Sequence, residues 1–207
     1  MNGPEDCDLD CRQSAAFLRL FIAIAIPPDV RQEIGRAQGQ LRRNAPPGTI
    51  RWTRPEQFHV TLKFLGDVPA AQVAALEEAV AKVCLGFKVL RLSAHSIGFF
   101  PSAQQPRVIW AGVDDHSEQL AELHRQMDAA VRPFAPAERL ERFTGHITLG
   151  RFKPGRHAAM PNLLARATVL RHHHFGDWRT GTVEIIRSEL TPTGAMHTPL
   201  ASCPLAE

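Results

Sequence analysis

The 207-residue sequence has no tyrosine, only four cysteines and no long apolar run. Four cysteines in a chain of this length are too few for a disulfide framework. No apolar stretch approaches the ~20 residues that a membrane-spanning helix needs. The start, "MNGPEDCDLDCRQS", lacks the basic and apolar regions of a secretory signal. These absences argue against a secreted or membrane protein, so we expect a cytoplasmic one.

The N-terminal segment differs in composition from the rest of the chain. Cys7 and Cys11 could hold a metal or pair in an oxidising medium, but free thiols in a loose tail are the simpler interpretation. The low hydrophobicity of the segment predicts a disordered tail over residues 1–15. Residues 16–207 then form a single domain, and we expect it to be a monomer.

Charge is distributed unevenly along the chain. The net charge is +3, but the first fourteen residues carry −3, from Glu5, Asp6, Asp8 and Asp10 against Arg12. The remaining residues therefore carry +6, most of it from arginine. Such an excess favours an anionic partner such as RNA.

Two parts of the sequence repeat one order of elements. The apolar stretch "RLFIAIAIPP" and the helical pattern "DVRQEIGRAQGQLRR" precede "FHVTLKFLG"; "RVIWAGV" and "DDHSEQLAELHRQMDAAVRPF" precede "GHITLGR". Ile22 to His59 and Ile109 to His146 are both 37 residues, so the halves are offset by 87 residues. The repeat predicts two similar lobes, each with a strand, a helix and a motif strand. The fold class is α+β, with mostly antiparallel strands and helices outside.

Each motif strand pairs a histidine with a threonine on one face. Side chains alternate across a strand, so the apolar positions, Phe64 among them, should face a core. His59 and Thr61 should face the other way, and the second motif should present His146 and Thr148 in the same manner. If the lobes are related by a pseudo-twofold axis, the two pairs face each other across a cleft.

This arrangement suits acid–base chemistry on a phosphate. One imidazole can be neutral and accept a proton while the other is charged and donates one. Threonine hydroxyls and a cation can hold phosphate oxygens. Arg151 can be that cation if the strand ends or bulges near Gly150, and Lys63 is a second, weaker candidate.

Other histidines and tryptophans allow different interpretations. A metalloprotein centred on "RHHHF" would use His172 and His174, the two that converge on an extended chain, although a solvated edge is the simpler interpretation. The tryptophans could stack on a base, but core packing is expected for Trp110. A non-catalytic basic module that only grips RNA phosphates is a further alternative. The isolated histidines, expected on the surface, are His95, His116, His124, His157 and His197.

The motifs resemble those of the 2H phosphoesterase superfamily, named for two His-x-Thr-x tetrads, here "HVTL" from His59 and "HITL" from His146. Within that superfamily, the sequence most resembles the RNA 2′,3′-cyclic phosphodiesterases, also called 2′-5′ RNA ligases. The blocks "RLFIAI", "RWTRPEQFHVTLKFLGDV", "FTGHITLGR" and "SELTPTGAMHTPL" extend it over roughly residues 17–200. One departure is His197, at a position before "TPL" where the family often has an aromatic residue.

The resemblance implies a bilobal fold with a central cleft between two antiparallel sheets. It implies opening of a 2′,3′-cyclic phosphate to a 2′-phosphomonoester without metal or cofactor, and its reversal as 2′-5′ ligation. His59 would be the proton donor and His146 the proton acceptor. Thr61, Thr148 and Arg151 would hold the phosphate. The substrates implied are RNA ends with a cyclic phosphate, small cyclic nucleotides or 2′-5′ oligonucleotides.

Overall fold

The computed structural model describes residues 17–135, 143–154, 160–191 and 194–206. The predicted tail, residues 1–15 with Cys7 and Cys11, lies outside the described residues, as does His157. The tail and the single domain stay predictions. The nine strands and four α-helices of the described residues are β1 (Phe17–Ala25), α1 (Pro28–Asn44), β2 (Ile50–Trp52), β3 (His59–Pro69), α2 (Val73–Cys84), β4 (Leu90–Phe100), β5 (Val108–Asp115), α3 (Leu120–Ala130), β6 (His146–Phe152), α4 (Pro161–Val169), β7 (His174–Thr180), β8 (Thr182–Thr191) and β9 (Gly194–Pro204).

Helix α1 shows how local sequence sets an element. The helix begins at Pro28, because a proline in the first turn has no intrahelical N–H to lose. Pro27 precedes the helix as its cap, and Asp29 lies in the first turn, where its carboxylate faces the positive end of the helix dipole. The helix buries one apolar stripe at helical spacing: Val30, Ile34, Ala37 and Leu41.

The strands form one sheet in the order β7-β4-β5-β6-β3-β1-β8-β9, and β2 pairs with β6 beside this row. The neighbouring strands in this order are antiparallel. At the centre, β3 and β6 are joined through a single residue pair, Val60 and Ile147. Outward from this joint, β6, β5, β4 and β7 mirror β3, β1, β8 and β9, which is the order expected of two repeats about a twofold axis.

We call the half around β3, β1, β8 and β9 lobe I, and the half around β6, β5, β4 and β7 lobe II. The α+β class with antiparallel strands is confirmed. The two expected sheets are continuous, because Val60 and Ile147 bridge them. The helices that precede the two motifs exchange lobes: α1 packs on β7 and α4 in lobe II, and α3 packs on β3 and α2 in lobe I. Both α1 and α3 therefore cross to the lobe built on the other motif.

The two described cysteines lie in the core. Cys84 and Cys203 are buried free thiols, between α2 and β9. Burial, followed by the neighbouring Cys203, raises the pKa of Cys84 to about 12, so this thiol is protonated and unreactive at neutral pH. No helix among the described residues combines the length and the apolarity needed to span a bilayer.

Candidate active site

The two motif strands lie side by side at the centre of the sheet. Val60 and Ile147 pair across the joint, and both are fully buried. Their neighbours Leu62 and Leu149 are also buried on the core side. The predicted alternation therefore holds over both His-x-Thr segments, and it turns the histidines and threonines away from the core.

The two catalytic candidates are anchored in the same way. His59 Nδ1 lies 2.7 Å from the carbonyl oxygen of Gln57, and His146 Nδ1 lies 2.8 Å from that of Thr144. A carbonyl oxygen only accepts hydrogen bonds, so each Nδ1 carries the proton that it donates. Nε2 of each neutral ring is therefore the acceptor, and it is the atom that can exchange a proton with a ligand.

A bulge in β6 directs Arg151 into the cleft. Thr148 pairs with Trp110 and Gly150 pairs with Ile109, so Leu149 is an extra residue in the strand. The expected irregularity near Gly150 is thus present. It shifts the alternation so that Arg151 shares the cavity with Thr148.

This bulge is held by groups outside the strand. The carbonyl of Leu149 accepts hydrogen bonds from the backbone N–H of Thr53, at 2.9 Å, and from Nε2 of Gln38, at 2.8 Å. Gln38 is a buried residue of α1, and its Nε2 also donates to the carbonyl of Thr53, at 2.7 Å. A Cβ on Gly150 would lie 2.7 Å from Cγ2 of Ile50, so β2 packs closely against the bulge only because this residue is glycine.

A similar bulge in β3 contradicts two predictions. Thr61 pairs with Ala23 and Lys63 with Ile22, so Leu62 is the extra residue. Beyond it, Lys63 turns to the helix side, where its Nζ lies 2.8 Å from Asp128 Oδ1 in α3. Lys63 is therefore not a phosphate ligand. Phe64, expected in the core, turns to the cavity and is 50% exposed.

The two bulges give the repeat an asymmetric pair of residues. Phe64 follows His59 by five positions, and Arg151 follows His146 by five positions. Both line the same cavity. One motif thus ends in an exposed aromatic ring and the other in a cation.

The cavity between the lobes has a volume of about 610 Å³, within the range usual for small-ligand sites. Four of the five predicted site residues line it: His59, Thr61, Thr148 and Arg151. His146 lies just outside this lining, two residues from Thr148 on the same face, and its charge reaches His59. Among the described residues lining the cavity, none is acidic, and four are arginines: Arg19, Arg51, Arg54 and Arg151.

Both histidines favour the neutral form at neutral pH. Burial lowers the pKa of His59 to about 4, and the charges of His197, His146 and Arg151 add to the effect. Burial also lowers the pKa of His146, and the charge of Arg151 adds to it. In each case the backbone hydrogen bond opposes the shift. A bound anion would raise both pKa values again by favouring the charged ring.

His197 is a site residue that the sequence interpretation placed on the surface. Its ring centroid lies 5.6 Å from that of His59 and 4.9 Å from that of Phe21, and it lines the cavity. Phe21 packs against His59 as well, at 4.8 Å. The only sequence signal for His197 was its place in the closing block "GAMHTPL".

Trp110 also departs from its predicted place in the core. It is half-buried on the cleft face, with ring centroids 4.9 Å from Phe100 and 6.4 Å from His146. Phe100 contacts His146 edge to face at 5.0 Å. The indole lies across Gly98, where a Cβ would overlap Cζ2 of the ring. These aromatic rings hold the imidazole of His146 from the lobe II side.

The metal alternative finds no support in the side chains that are placed. Within the described ranges, no group of three or more His, Cys, Asp or Glu residues is arranged to hold a metal ion. In the "RHHHF" segment, His174 Nε2 lies 2.9 Å from Asp177 Oδ1 on the exposed edge strand β7. That histidine forms a surface ion pair when it is protonated.

Paired His-x-Thr strands facing one basic cavity define a phosphoesterase of the 2H type. A model of the LigT-like phosphoesterase family matches residues 24–110. An RNA 2′,3′-cyclic phosphodiesterase of Methanothermobacter thermautotrophicus is 30% identical over 184 residues, which cover 87% of this chain and 95% of that protein. One of Thermus thermophilus is 30% identical over 196 residues, 88% of either chain. The chain belongs to the LigT-like phosphoesterase family of the 2H superfamily.

Solved structures agree with this fold. The crystal structure of the Thermus thermophilus protein TT0787 superposes with a TM-score of 0.73 at 27% identity, covering 91% of this chain and 98% of that one. The structure of Escherichia coli LigT complexed with 3′-AMP superposes with a TM-score of 0.72 at 22% identity, covering 93% and 100%.

Proposed function

We propose that the protein hydrolyses the 2′,3′-cyclic phosphate at RNA ends to a 2′-phosphomonoester, without a metal ion or cofactor. The observation that carries the proposal is the matched pair of imidazoles on β3 and β6. Each is fixed through Nδ1 to a backbone carbonyl and leaves Nε2 for proton exchange. The names of the relatives, RNA 2′,3′-cyclic phosphodiesterases at 27–33% identity, support the substrate class.

The reaction needs one proton removed and one delivered. His146 Nε2 takes a proton from water, whose oxygen attacks phosphorus, and the P–O3′ bond breaks. His59 Nε2–H gives its proton to O3′, so the phosphate remains on O2′. Thr61, Thr148 and Arg151 donate to the non-bridging oxygens, where charge increases in the transition state.

The asymmetry of the cavity supports this choice of acid. The leaving O3′ belongs to the nucleoside, so the acid must stand on the nucleoside side. Phe64 and His197 lie beside His59 and offer rings to a base or ribose, whereas Arg151 follows His146. A 5′-hydroxyl of RNA in place of the water would attack the same phosphorus, break the same P–O3′ bond and form a 2′-5′ linkage.

The competing functions differ in whether the protein catalyses a reaction at all and in which substrate it acts on. A non-catalytic RNA-binding module would need phosphate donors but no matched acid and base, and the twin Nδ1 anchors favour the enzyme. A 2H phosphodiesterase for small cyclic nucleotides or 2′-5′ oligonucleotides would use the same histidines and differ only in the nucleoside subsite.

The test is to incubate the protein with adenosine 2′,3′-cyclic phosphate and with an oligoribonucleotide ending in a cyclic phosphate, and to identify the product isomer. We expect 2′-phosphate products, formed equally well in EDTA because histidine, threonine and arginine supply the charge stabilisation. Binding without turnover would favour the RNA-binding module. Loss of turnover in EDTA that zinc or manganese restores would contradict the metal-free mechanism.

A further inference from the structure

The cavity carries more positive charge than the reacting group requires. A 2′,3′-cyclic phosphate is a diester with one negative charge, and Arg151 can balance it. None of the described residues that line the cavity is acidic. Three more arginines line it: Arg19, Arg51 and Arg54. Such an uncompensated excess is costly unless the ligand brings further negative charge.

The surplus arginines occupy different places. Arg51 pairs with Arg151 across β2 and β6. Burial, and then the charge of Arg51, lower the pKa of Arg151, so Arg51 belongs to the subsite of the reacting phosphate. Arg19 lies opposite Asp67 across β1 and β3, so its neighbour in the sheet is an acidic residue. Arg54 has neither arrangement, and no ion pair among the described residues involves it.

Arg54 is held next to His197. Its Nη2 donates to the carbonyl of Ala195 at 2.8 Å, and Gln57 donates to the same oxygen. Ala195 and His197 are two residues apart on β9, so they share one face of the strand. The remaining N–H groups of Arg54 and the ring of His197 thus border the cavity together, on the side of His59.

We propose that Arg54 and His197 form a second anion subsite, which binds the 5′-phosphate of the nucleotide whose cyclic phosphate is opened. This inference rests on the proposed function. The reacting phosphate and the 5′-phosphate of one nucleotide lie on either side of its ribose. His59 is likewise close to both cationic groups, because its ring centroid is 5.6 Å from that of His197 and the charge of Arg151 acts on it. The subsite makes an RNA end, whose terminal nucleotide always carries a 5′-phosphate, the preferred substrate over a nucleoside cyclic phosphate.

The electrostatic surroundings of His197 favour a bound anion. Burial, and then the charge of Arg54, lower the pKa of His197. A phosphate placed between the two groups would reverse the second effect and accept a hydrogen bond from the ring.

Three substrates isolate the added phosphate: adenosine 2′,3′-cyclic phosphate, the same compound with a 5′-phosphate, and the dinucleotide ApA ending in a 2′,3′-cyclic phosphate. The readout is kcat/KM of the second and third substrates relative to the first. We expect both ratios to be roughly 10 or higher, the value of a charge-assisted hydrogen bond. A ratio near 1 for the 5′-phosphorylated nucleoside would overturn the inference. A gain with that compound but none with ApA would overturn its extension to RNA ends.

Variants assign the ratio to residues. His197→Phe keeps a ring against Phe21 and His59 but has no donor, and Arg54→Gln keeps a donor to Ala195 but has no charge. Each variant should bring both ratios down toward 1, whatever its effect on kcat/KM for adenosine 2′,3′-cyclic phosphate. Arg171→Gln, an exposed arginine outside the cavity, is the matched control and should keep the wild-type ratios. Wild-type ratios in both site variants would overturn the assignment.

The ratios separate this inference from the proposed function. If the wild-type protein opens none of the three substrates, the proposed function fails. If it opens adenosine 2′,3′-cyclic phosphate and gains nothing from the 5′-phosphate, the proposed function stands and the second subsite alone is refuted.

Discussion

The two lobes present the same anchored histidine in different surroundings. In both, a histidine on a central strand is tied through Nδ1 to the carbonyl two residues earlier. The rings of Phe21 and His197 lie next to His59, and Phe64 lines the same cavity. His146 instead packs against aromatic rings of lobe II, and the residue five positions after it is Arg151. A repeated frame can therefore supply a matched acid and base, while one diverged position in each repeat gives the site a direction.

The lobes also support their motif strands by different means. The bulge of β6 in lobe II is held by Gln38 of α1, through hydrogen bonds to two carbonyls. The turned Lys63 of β3 in lobe I is held by Asp128 of α3, through an ion pair. In each case the supporting helix belongs to the other repeat: α1 precedes the His59 motif in sequence but supports β6, and α3 precedes the His146 motif but supports β3. Each repeat thus supports the motif strand of the other.

The strongest test of this comparison removes each histidine in turn. His59→Ala and His146→Ala should each lower kcat on the order of 10²–10⁴-fold, because each loses one proton transfer. The double variant should lose much less than the product of the two losses, because both groups act in one transition state. Single-turnover rates with a cyclic phosphate substrate measure all three. Near-wild-type turnover in either single variant would contradict the two-histidine mechanism.

The pH dependence follows from the lowered pKa values. The active form has one neutral and one charged ring, and kcat/KM reports the free enzyme. With the pKa of His59 near 4 and that of His146 below 6.5, the maximum of kcat/KM should lie below pH 6.5. Above it the value should fall by about tenfold per pH unit as the charged ring is lost.

The maximum of kcat should lie at higher pH, because the bound phosphate raises both pKa values. A pH profile of each kinetic constant separates the two effects. A kcat/KM maximum above pH 7 would contradict the site electrostatics described above.

Arg151 and Phe64, each five residues after a motif histidine, should respond differently to substitution. Arg151→Ala should lower kcat/KM roughly 10- to 100-fold through lost phosphate stabilisation, and it should move the pH optimum upward, because the arginine charge lowers the pKa of both histidines. Phe64→Leu should mainly raise KM, about tenfold, by removing a stacking surface, and it should leave the pH optimum in place. Equal pH profiles for the two variants and wild type would count against a direct role of Arg151.

The supporting residues should give the smallest effects. Gln38→Leu removes the two hydrogen bonds that Nε2 of Gln38 donates, to the carbonyls of Thr53 and Leu149, and should lower the free energy of unfolding by about 1–3 kcal/mol. It should also reduce kcat/KM, because Arg151 loses its alignment. Asp128→Asn weakens a pair on the far side of β3 and should cost about 1 kcal/mol with little kinetic change. Urea titrations with steady-state kinetics measure both, and a kinetic loss in Asp128→Asn equal to that in Gln38→Leu would break the comparison.

The sequence predicted the parts of the site that depend on local alternation. The faces of His59, Thr61, His146 and Thr148 follow from a period of two, and the offset of 87 residues places the motifs in equivalent strands. The bulge near Gly150 was predictable because Arg151 otherwise falls on the core face. In β3 no comparable conflict was visible, since Phe64 looked like an ordinary core residue.

The remaining features depend on contacts between distant segments. An amphipathic stripe says that α1 and α3 each bury one face, but not which sheet covers it, and so the exchange of helices could not be read from the sequence. His197 carries no local signal of proximity to His59, because β9 reaches the cavity only through its pairing with β8. Lys63 and Asp128 are likewise brought together only by the packing of α3 on β3.

The pairing of β1 with β8 has a consequence for how the chain acquires its fold. Leu20 lies opposite Arg187, so β1, the first of the described strands, pairs with β8, the last but one of them. During synthesis β1 leaves the ribosome long before β8, so the edge of β1 that pairs with β8 has no partner until nearly all of these strands have been made. Contacts of such large sequence separation slow folding, because the intervening chain must be ordered before they form.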